Sequence, residues 1–503
     1  MEIVNQVLGL FAYLFVFAAG LAVLSVVVLY VVDITQTTHA VRRNYPVIGR
    51  FRYFFEELGE FFRQYFFAMD REEMPFNRAE RSWVYRAAKG LDNTVAFGST
   101  RDLGRVGTPV FVNCPWPTLD SDAADPQPIT VGEATCRHPY TTDRIFHVSG
   151  MSFGAISEPA IRALSNGAHM AGCWLNTGEG GLSPFHLEGG ADIVFQIGTA
   201  KYGVCKADGS LDEDKLREIA AHEQVRMFEI KLSQGAKPGK GGMLPGAKVT
   251  EEIAAVRGIQ VGQDSNSPNR HLDIANTHEL LDFIDRVREI TGKPVGFKTV
   301  IGAYGWLQDL CWEAQSRGPT SGPDFITVDS GDGGTGAAPM PLMDCVGLTV
   351  RESLPLVINI LGETGMRDRV KVIASGKMII PSAVAAAFCM GADFVITARG
   401  FMFSLGCIQA MKCNQNTCPT GITTHDKRLQ RGLVPADKAE RVKRYQRQME
   451  KEVSMIAHSC GVSEPRQLRR YHCRLVQANG TTLPMDEIYP YRDAKSRAQR
   501  PVA

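Results

Sequence analysis

The stretch PVGFKTVIG (294–302) is followed by FITVDSGDGGTG (325–336), KVIASGKM (371–378) and FVITARG (394–400). Each is a short run rich in Val, Ile and Phe that ends on glycine or a small polar residue, the pattern of a buried strand feeding a tight loop. Upstream, RIFHVSGMSFG (144–154), CWLNTGEGG (173–181), VFQIGTAKYGV (194–204) and MFEIKLSQGAKPG (227–239) have the same form. Helical segments lie between them, among them EPAIRALSNGAHMAG (158–172), EEIAAVRG (251–258) and SAVAAAFCMGA (382–392). Eight such units between residues 144 and 400 predict an α/β fold, a (β/α)8 TIM barrel with its active site at the C-terminal ends of the strands. A doubly wound dinucleotide fold needs Gly-x-Gly-x-x-Gly after its first strand and an acidic residue about 20 positions on. The sequence has neither in that context.

Ahead of the barrel, no charged residue occurs from Ile3 to Val32, and LGLFAYLFVFAAGLAVLSVVVLYVV (8–32) is apolar almost throughout. As a helix it is long enough for a hydrocarbon core of about 30 Å, so one N-terminal transmembrane helix is expected. A cleaved signal peptide would want a basic start and a shorter apolar core; only the amino terminus and Glu2 precede this one. Arg42, Arg43, Arg50, Arg52 and Arg63 follow the span. The positive-inside rule then predicts a single pass through the inner (cytoplasmic) membrane, with the catalytic domain facing the cytoplasm. RFRYFFEELGEFFRQYFFAM (50–69) reads either as a helix on the membrane surface or as one packed on the soluble domain. Residues 71–135 carry no chemistry that their types assign.

Lys plus Arg (55) nearly cancels Asp plus Glu (54), which argues against nucleic acid as a partner, since phosphate backbones are bound through a basic field. The mean hydropathy of -0.11 averages the apolar N-terminus with a polar body. Glycine is abundant, 49 residues, and it gathers at the predicted strand ends, where it lets backbone N–H groups approach a ligand. Barrels often hold phosphate in the loops after strands seven and eight, here Ser375-Gly376-Lys377 and Ala398-Arg399-Gly400, so a phosphorylated cofactor is expected. Of twelve cysteines, Cys407, Cys413 and Cys418 are spaced C-x5-C-x4-C with a proline behind the last. Three thiolates so close suit an iron-sulfur cluster, and three ligands suit a three-iron one; structural zinc prefers pairs and four ligands. The other nine cysteines read mostly as buried small residues.

MSFGAIS (151–157), NTGEGG (176–181), QIGTAKYGV (196–204), IKLSQGAKPGKGG (230–242), DSGDGGTGAAP (329–339) and CIQAMKCNQNTCPTGI (407–422) together resemble the FMN-binding synthase domain of glutamate synthase large subunits. The overall layout is similar to that of short, membrane-anchored glutamate-synthase-like proteins of bacteria. The resemblance implies FMN beside a [3Fe-4S] cluster held by Cys407, Cys413 and Cys418, with hydride passing to 2-iminoglutarate. It implies catalytic roles for Glu179, Lys231 and Lys237 around a 2-oxo or amino dicarboxylate. It places Ser152, Gly154, Asn176, Thr177, Gln196 and Lys298 near the flavin, and Gly333, Gly334, Thr335, Gly376 and Arg399 around its ribityl chain and phosphate.

Where the family has an acidic residue and a glutamine in GAKPGEGGQLPG, this sequence has Lys240 and Met243, and Leu175 replaces the serine before NTGEGG. The expected domains are a transmembrane anchor (1–33), a juxtamembrane segment (34–135), the FMN barrel with its iron-sulfur loop (136–424) and a helical segment with tail (425–503). No glutaminase domain or glycine-rich β-helix is expected beside them, so ammonia would come from solution or a partner. A separate electron donor or acceptor protein is expected. The leading function is reduction of 2-iminoglutarate, formed from 2-oxoglutarate and ammonia or an amine, to glutamate. The alternative is dehydrogenation of another amino or oxo acid, exchanging electrons with the membrane. A 2-hydroxy-acid oxidase is less favoured, because residues 325–338 hold no histidine base. ADKAERVKRYQRQMEKEVSMIAHSCG (436–461) reads as an amphipathic helix docked on the barrel, and 479–503 as an extended, exposed tail that reaches a partner or a second copy in a homo-oligomer.

Overall fold

The computed structural model describes residues 1–492; the end of the predicted tail, 493–503, lies outside them. Two compact units divide at Ala79 and Glu80. The first contains α1 (Glu2–Thr35), a 34-residue helix, about 50 Å long at 1.5 Å per residue. It is long and apolar enough to cross a membrane.

The second unit holds a closed barrel of eight parallel strands. In chain order they are β1 (Phe146–Val148), β2 (Leu175–Asn176), β3 (Ile193–Ile197), β4 (Val225–Lys231), β5 (Val295–Val300), β6 (Phe325–Asp329), β7 (Lys371–Ser375) and β8 (Phe394–Thr397). All eight predicted strands are barrel strands. β8 closes on β1 in the register Val395↔Phe146 and Thr397↔Val148. Every residue of β3, β5, β6 and β8 is buried. This explains why these runs read as continuously apolar rather than alternating, as strands covered on both faces do. A hairpin of Ile129–Val131 with Tyr140–Thr142 lends Val131 and Tyr140 to a core cluster with Trp174, Phe325 and Phe394.

α2 (Glu158–Ala171) begins where Ser157 accepts from the Ala160 N–H and ends at Gly172 in the left-handed region, φ 76°, the usual glycine stop. α3 (Pro435–Ser459) packs along it. A Cβ on Gly167 would lie 2.5 Å from the Cβ of Val442, so the absent side chain lets the two helices meet. The expectation of an extended tail is corrected for its described part. Thr482–Pro484 pairs with Cys473–Val476, which pairs in turn with Pro109–Phe111. The buried Arg470 donates to Asn359 Oδ1 (3.1 Å) and to the Tyr489 carbonyl (2.7 Å). A charged group buried in this way requires acceptors, and the returning chain supplies one.

Candidate active site

A cavity of about 1310 Å³, counted out to its open mouth, lies at the C-terminal ends of the strands. Six of the eight strands or the loops after them supply several groups: Gly150 to Ser152 after β1, Gly178 and Glu179 after β2, Lys231, Gln234 and Lys237 after β4, Asp329 and Gly334 to Ala337 after β6, Ser375 to Lys377 after β7 and Thr397 to Arg399 after β8. Gln196 from β3 and Lys298 from β5 also face it. Of the residues expected from sequence, Ser152, Glu179, Gln196, Lys231, Lys237, Lys298, Gly334, Thr335, Gly376, Arg399 and Cys413 line this one cavity.

Gly154, Asn176, Thr177 and Gly333, expected at the flavin, are not among its lining residues, and their contacts show a supporting role. Asn176 Oδ1 accepts from the Gly178 N–H (2.9 Å), and Thr177 Oγ1 accepts from the Gln196 N–H (3.1 Å). These bonds fix the backbone of the loops that do face the cavity. Cys407 and Cys418 also lie outside the lining.

The floor is built on a carboxylate that the strand pattern hides. Glu229, 1% exposed, accepts from Asn176 Nδ2 (2.9 Å), Gln196 Nε2 (2.6 Å) and Thr327 Oγ1 (2.6 Å). An acid inside the apolar run MFEIK is the only sequence signal for it. Next to it, Lys298 Nζ lies 3.2 Å from Asp329 Oδ2. Burial works against the Lys298 charge, but Asp329 and Glu229 outweigh it and hold the ammonium above its ordinary range. Asp329 is steadied by the Gly235 N–H at 3.0 Å, and although burial raises its carboxyl, Lys298 and these hydrogen bonds bring it below the usual value.

On another side of the cavity, Lys231 Nζ lies 2.9 Å from Glu179 Oε1. Burial pushes the Glu179 carboxyl up, yet Lys231, Lys237 and Arg257 together hold it below the ordinary range. Lys237 is itself pushed down to about 8, first by burial and then by the charge of Lys231, with Glu179 opposing. Arg257, which sequence reasoning missed, lines the cavity. It donates to the Phe153 carbonyl at 3.1 Å and keeps its buried Nε without an acceptor. Two glycines are required here: a Cβ on Gly242 would lie 2.6 Å from Glu179 Oε1, and one on Gly198 2.6 Å from Glu179 Cβ.

The end of the cavity expected to take the phosphate has similar omissions, beside a cationic side chain. A Cβ on Gly334 would lie 2.8 Å from Arg399 Nε, and one on Gly376 (φ 113°) 2.2 Å from Ser330 Cβ. Backbone and guanidinium therefore share a space that side chains would fill. Arg399 also donates to the Thr335 carbonyl and points Nη1 at Cys413 Sγ, 3.8 Å away. The three cysteines share a loop that passes through left-handed backbone at Gln409 (φ 60°), Met411 (51°) and Asn416 (59°). Among the described residues, no group of three or more Cys, His, Asp or Glu side chains converges as ligands of one metal ion would. A cluster places its thiolates on different irons, so convergence on one point is not its requirement. Burial raises the Cys407 thiol, whereas at Cys418 hydrogen bonds with Thr420 and Thr423 outweigh burial and bring the thiol below its ordinary range. Lys248, a second residue that sequence reasoning missed, donates to the Cys413 carbonyl (2.8 Å) from the cavity side.

The family model described as "Conserved region in glutamate synthase" matches residues 117–463. The chain belongs to the glutamate synthase family. Within it, the glutamate synthase large subunit-like protein YerD of Bacillus subtilis is 38% identical over 516 residues, covering 94% of this chain and 98% of that protein. The archaeal-type glutamate synthase (NADPH) of Thermotoga maritima is 35% identical over 323 residues, or 64% of this chain, and the match spans 60% of that protein. A mutant flavocytochrome b2 with pyruvate bound aligns with a TM-score of 0.44 at 14% identity, over 84% of this chain and 89% of that one. As a member of the glutamate synthase family, the chain is an oxidoreductase of the class acting on CH–NH2 donors. The departures from the family motif fall unevenly on its site. Met243 lines the cavity, Lys240 is exposed and outside it, and Leu175 is buried in β2. Only the first of the three faces the cavity.

Proposed function

We propose that the chain is an FMN and iron-sulfur oxidoreductase that reduces 2-iminoglutarate to glutamate, using 2-oxoglutarate and ammonia or an amine from outside its own barrel. The observation that carries the reading is the Glu179–Lys231 pair at 2.9 Å, with Lys237 and Arg257 lining the same cavity. Three cations around one carboxylate leave a surplus of positive charge, which a dicarboxylate balances. Lys231 and Lys237 hold the two substrate carboxylates with help from Arg257. Glu179, kept ionised, then accepts the N–H of the iminium and holds it against the cationic wall. The overall change takes 2-oxoglutarate, ammonium, two electrons and two protons to glutamate and water.

Ser152, Gln196 and Lys298 would hold the flavin ring, and Gly334, Thr335, Gly376 and Arg399 the ribityl phosphate. When bound, FMN would supply hydride chemistry, and a [3Fe-4S] cluster held by Cys407, Cys413 and Cys418 would supply single electrons from a donor protein. Lys298, held charged beside Asp329, would favour an electron-rich flavin. The apolar α1 anchors the chain in the inner membrane, and the arginines after it keep the barrel on the cytoplasmic side.

The test is a titration of oxidised protein with 2-oxoglutarate, followed by the flavin absorption band. Micromolar to millimolar saturation is expected, and Lys231→Ala should weaken it about 100-fold, or ~3 kcal/mol, as loss of one partner of a buried charged contact does. Unchanged binding in the variant would overturn the assignment of the dicarboxylate to this wall. Met243 in the cavity favours a second reading, a dehydrogenase of another amino or oxo acid exchanging electrons with the membrane. Anaerobic bleaching of the flavin by a panel of amino acids other than glutamate would select it.

A further inference from the structure

The elbow after α1 is built by side-chain contacts, and what it presents is an exposed aromatic face. Asp33, near the end of α1, is fully buried in a helix that is otherwise exposed. Its carboxylate takes Arg50 Nε and Nη2 at 2.7 to 3.0 Å and the Val47 N–H at 2.9 Å. Val47 sits at φ 67°, a conformation that a β-branched residue adopts only when its surroundings hold it there. Gly49 comes so close that a Cβ on it would lie 2.8 Å from the Val41 carbonyl. Tyr53 packs under Arg42, 4.6 Å from ring centre to guanidinium. The start of the helix Gly49–Phe62 is thereby tied to Asp33, the residue that follows the uncharged run ending at Val32.

From that point Phe51, Phe54, Phe55, Phe61 and Phe62 follow the i, i+3, i+4 spacing of a single face. All five are exposed, Phe55 at 61%. The aromatic run continues through Arg63–Phe67, where Phe66 is 66% exposed. Residues 49–67 carry three arginines and three glutamates, so the segment has no net charge to bring it to an acidic partner.

We propose that residues 49–67 form an interfacial helix that lies on the cytoplasmic surface of the bilayer crossed by α1, with the phenylalanine face in the acyl boundary. The occupant of the face is lipid, because the elbow ties the first phenylalanines to the level at which α1 leaves the hydrocarbon core. Attraction comes from apolar burial and not from charge, so neutral lipid serves as well as anionic lipid. The inference rests on the proposed membrane crossing by α1.

The experiment uses the full chain in vesicles of phosphatidylcholine, with and without phosphatidylglycerol, carrying a photoreactive benzophenone side chain in place of Phe55, Phe62, Glu56 or Val16, one at a time. Lipid adducts at Phe55 and Phe62, few at Glu56, and equal yields in both vesicles are expected. Crosslinks from Phe55 and Phe62 into residues 80–492, or no adducts there while Val16 labels lipid, would overturn the proposal. Equal lipid labelling at Glu56 and Phe55 would also overturn it, since the face would then have no meaning. Loss of lipid adducts at Val16 alone would overturn the crossing by α1, and with it the bilayer level to which this proposal ties the phenylalanine face.

Discussion

Lys237 stands near its midpoint at about 8, because burial and Lys231 both disfavour its charge. Its folded value lies below that of a free lysine, so its ammonium is present below about pH 8 and is lost as pH rises through it. If that ammonium holds a substrate carboxylate, KM for 2-oxoglutarate should rise about tenfold per pH unit above 8, and Lys237→Met should flatten the profile. A KM that stays flat to pH 9 in the unmodified protein contradicts the role. Glu229 makes the opposite kind of prediction. Replacing it by alanine strands the Asn176, Gln196 and Thr327 donors and leaves Lys298 with only Asp329, so unfolding free energy should fall by about 3 kcal/mol, read from urea denaturation. Glu179 and the lysines were legible in the sequence because charged groups at the end of an apolar strand, in a motif of recognisable spacing, stand out. Glu229, Lys248 and Arg257 were not, since each is placed by folding across many residues: Lys248 reaches the carbonyl of Cys413, and Arg257 that of Phe153.

At the scale of elements, the eight strands were legible because a strand covered on both faces has no polar alternation to confuse its reading, and because a glycine follows each one within a few residues. Strand β2, only Leu175–Asn176, shows how little regular structure is needed when the neighbouring strands fix its register. The loops make sharper predictions than the strands do. Gly334→Ala should cost most of the bound flavin, because its Cβ would meet Arg399 at 2.8 Å, while far-ultraviolet circular dichroism stays unchanged. Retention of one flavin per chain in that variant would contradict the phosphate assignment. Gly167→Ala tests the docking of α3 on α2. Alanine gains up to about 1 kcal/mol in helix propensity, but crowding against Val442 costs about 1–3 kcal/mol, so the melting temperature should fall. The segment 479–492 was misread as extended because its polar sequence shows no periodicity, and its acceptors for Arg470 belong to a return path that only the folded chain defines.

Across the whole molecule, the near-neutral charge averages an apolar helix, an aromatic segment of no net charge, and a body whose cavity is lined by more lysines and arginines than carboxylates. That excess suits a small dianion rather than a polymer. The proposed cluster and the proposed flavin would need a path between them, and of Cys407, Cys413 and Cys418 it is Cys413 that lines the cavity. Cys413→Ser should therefore remove the three-iron electron-spin signal while the flavin remains bound. The most direct test of the central claim is anaerobic: the flavin is reduced chemically, 2-oxoglutarate and ammonium are added, and flavin reoxidation is followed together with the amount of glutamate formed. The account predicts reoxidation with one glutamate per two-electron equivalent, abolished in Lys231→Ala. A flavin that stays reduced with ammonium and with every simple amine supplied would contradict it.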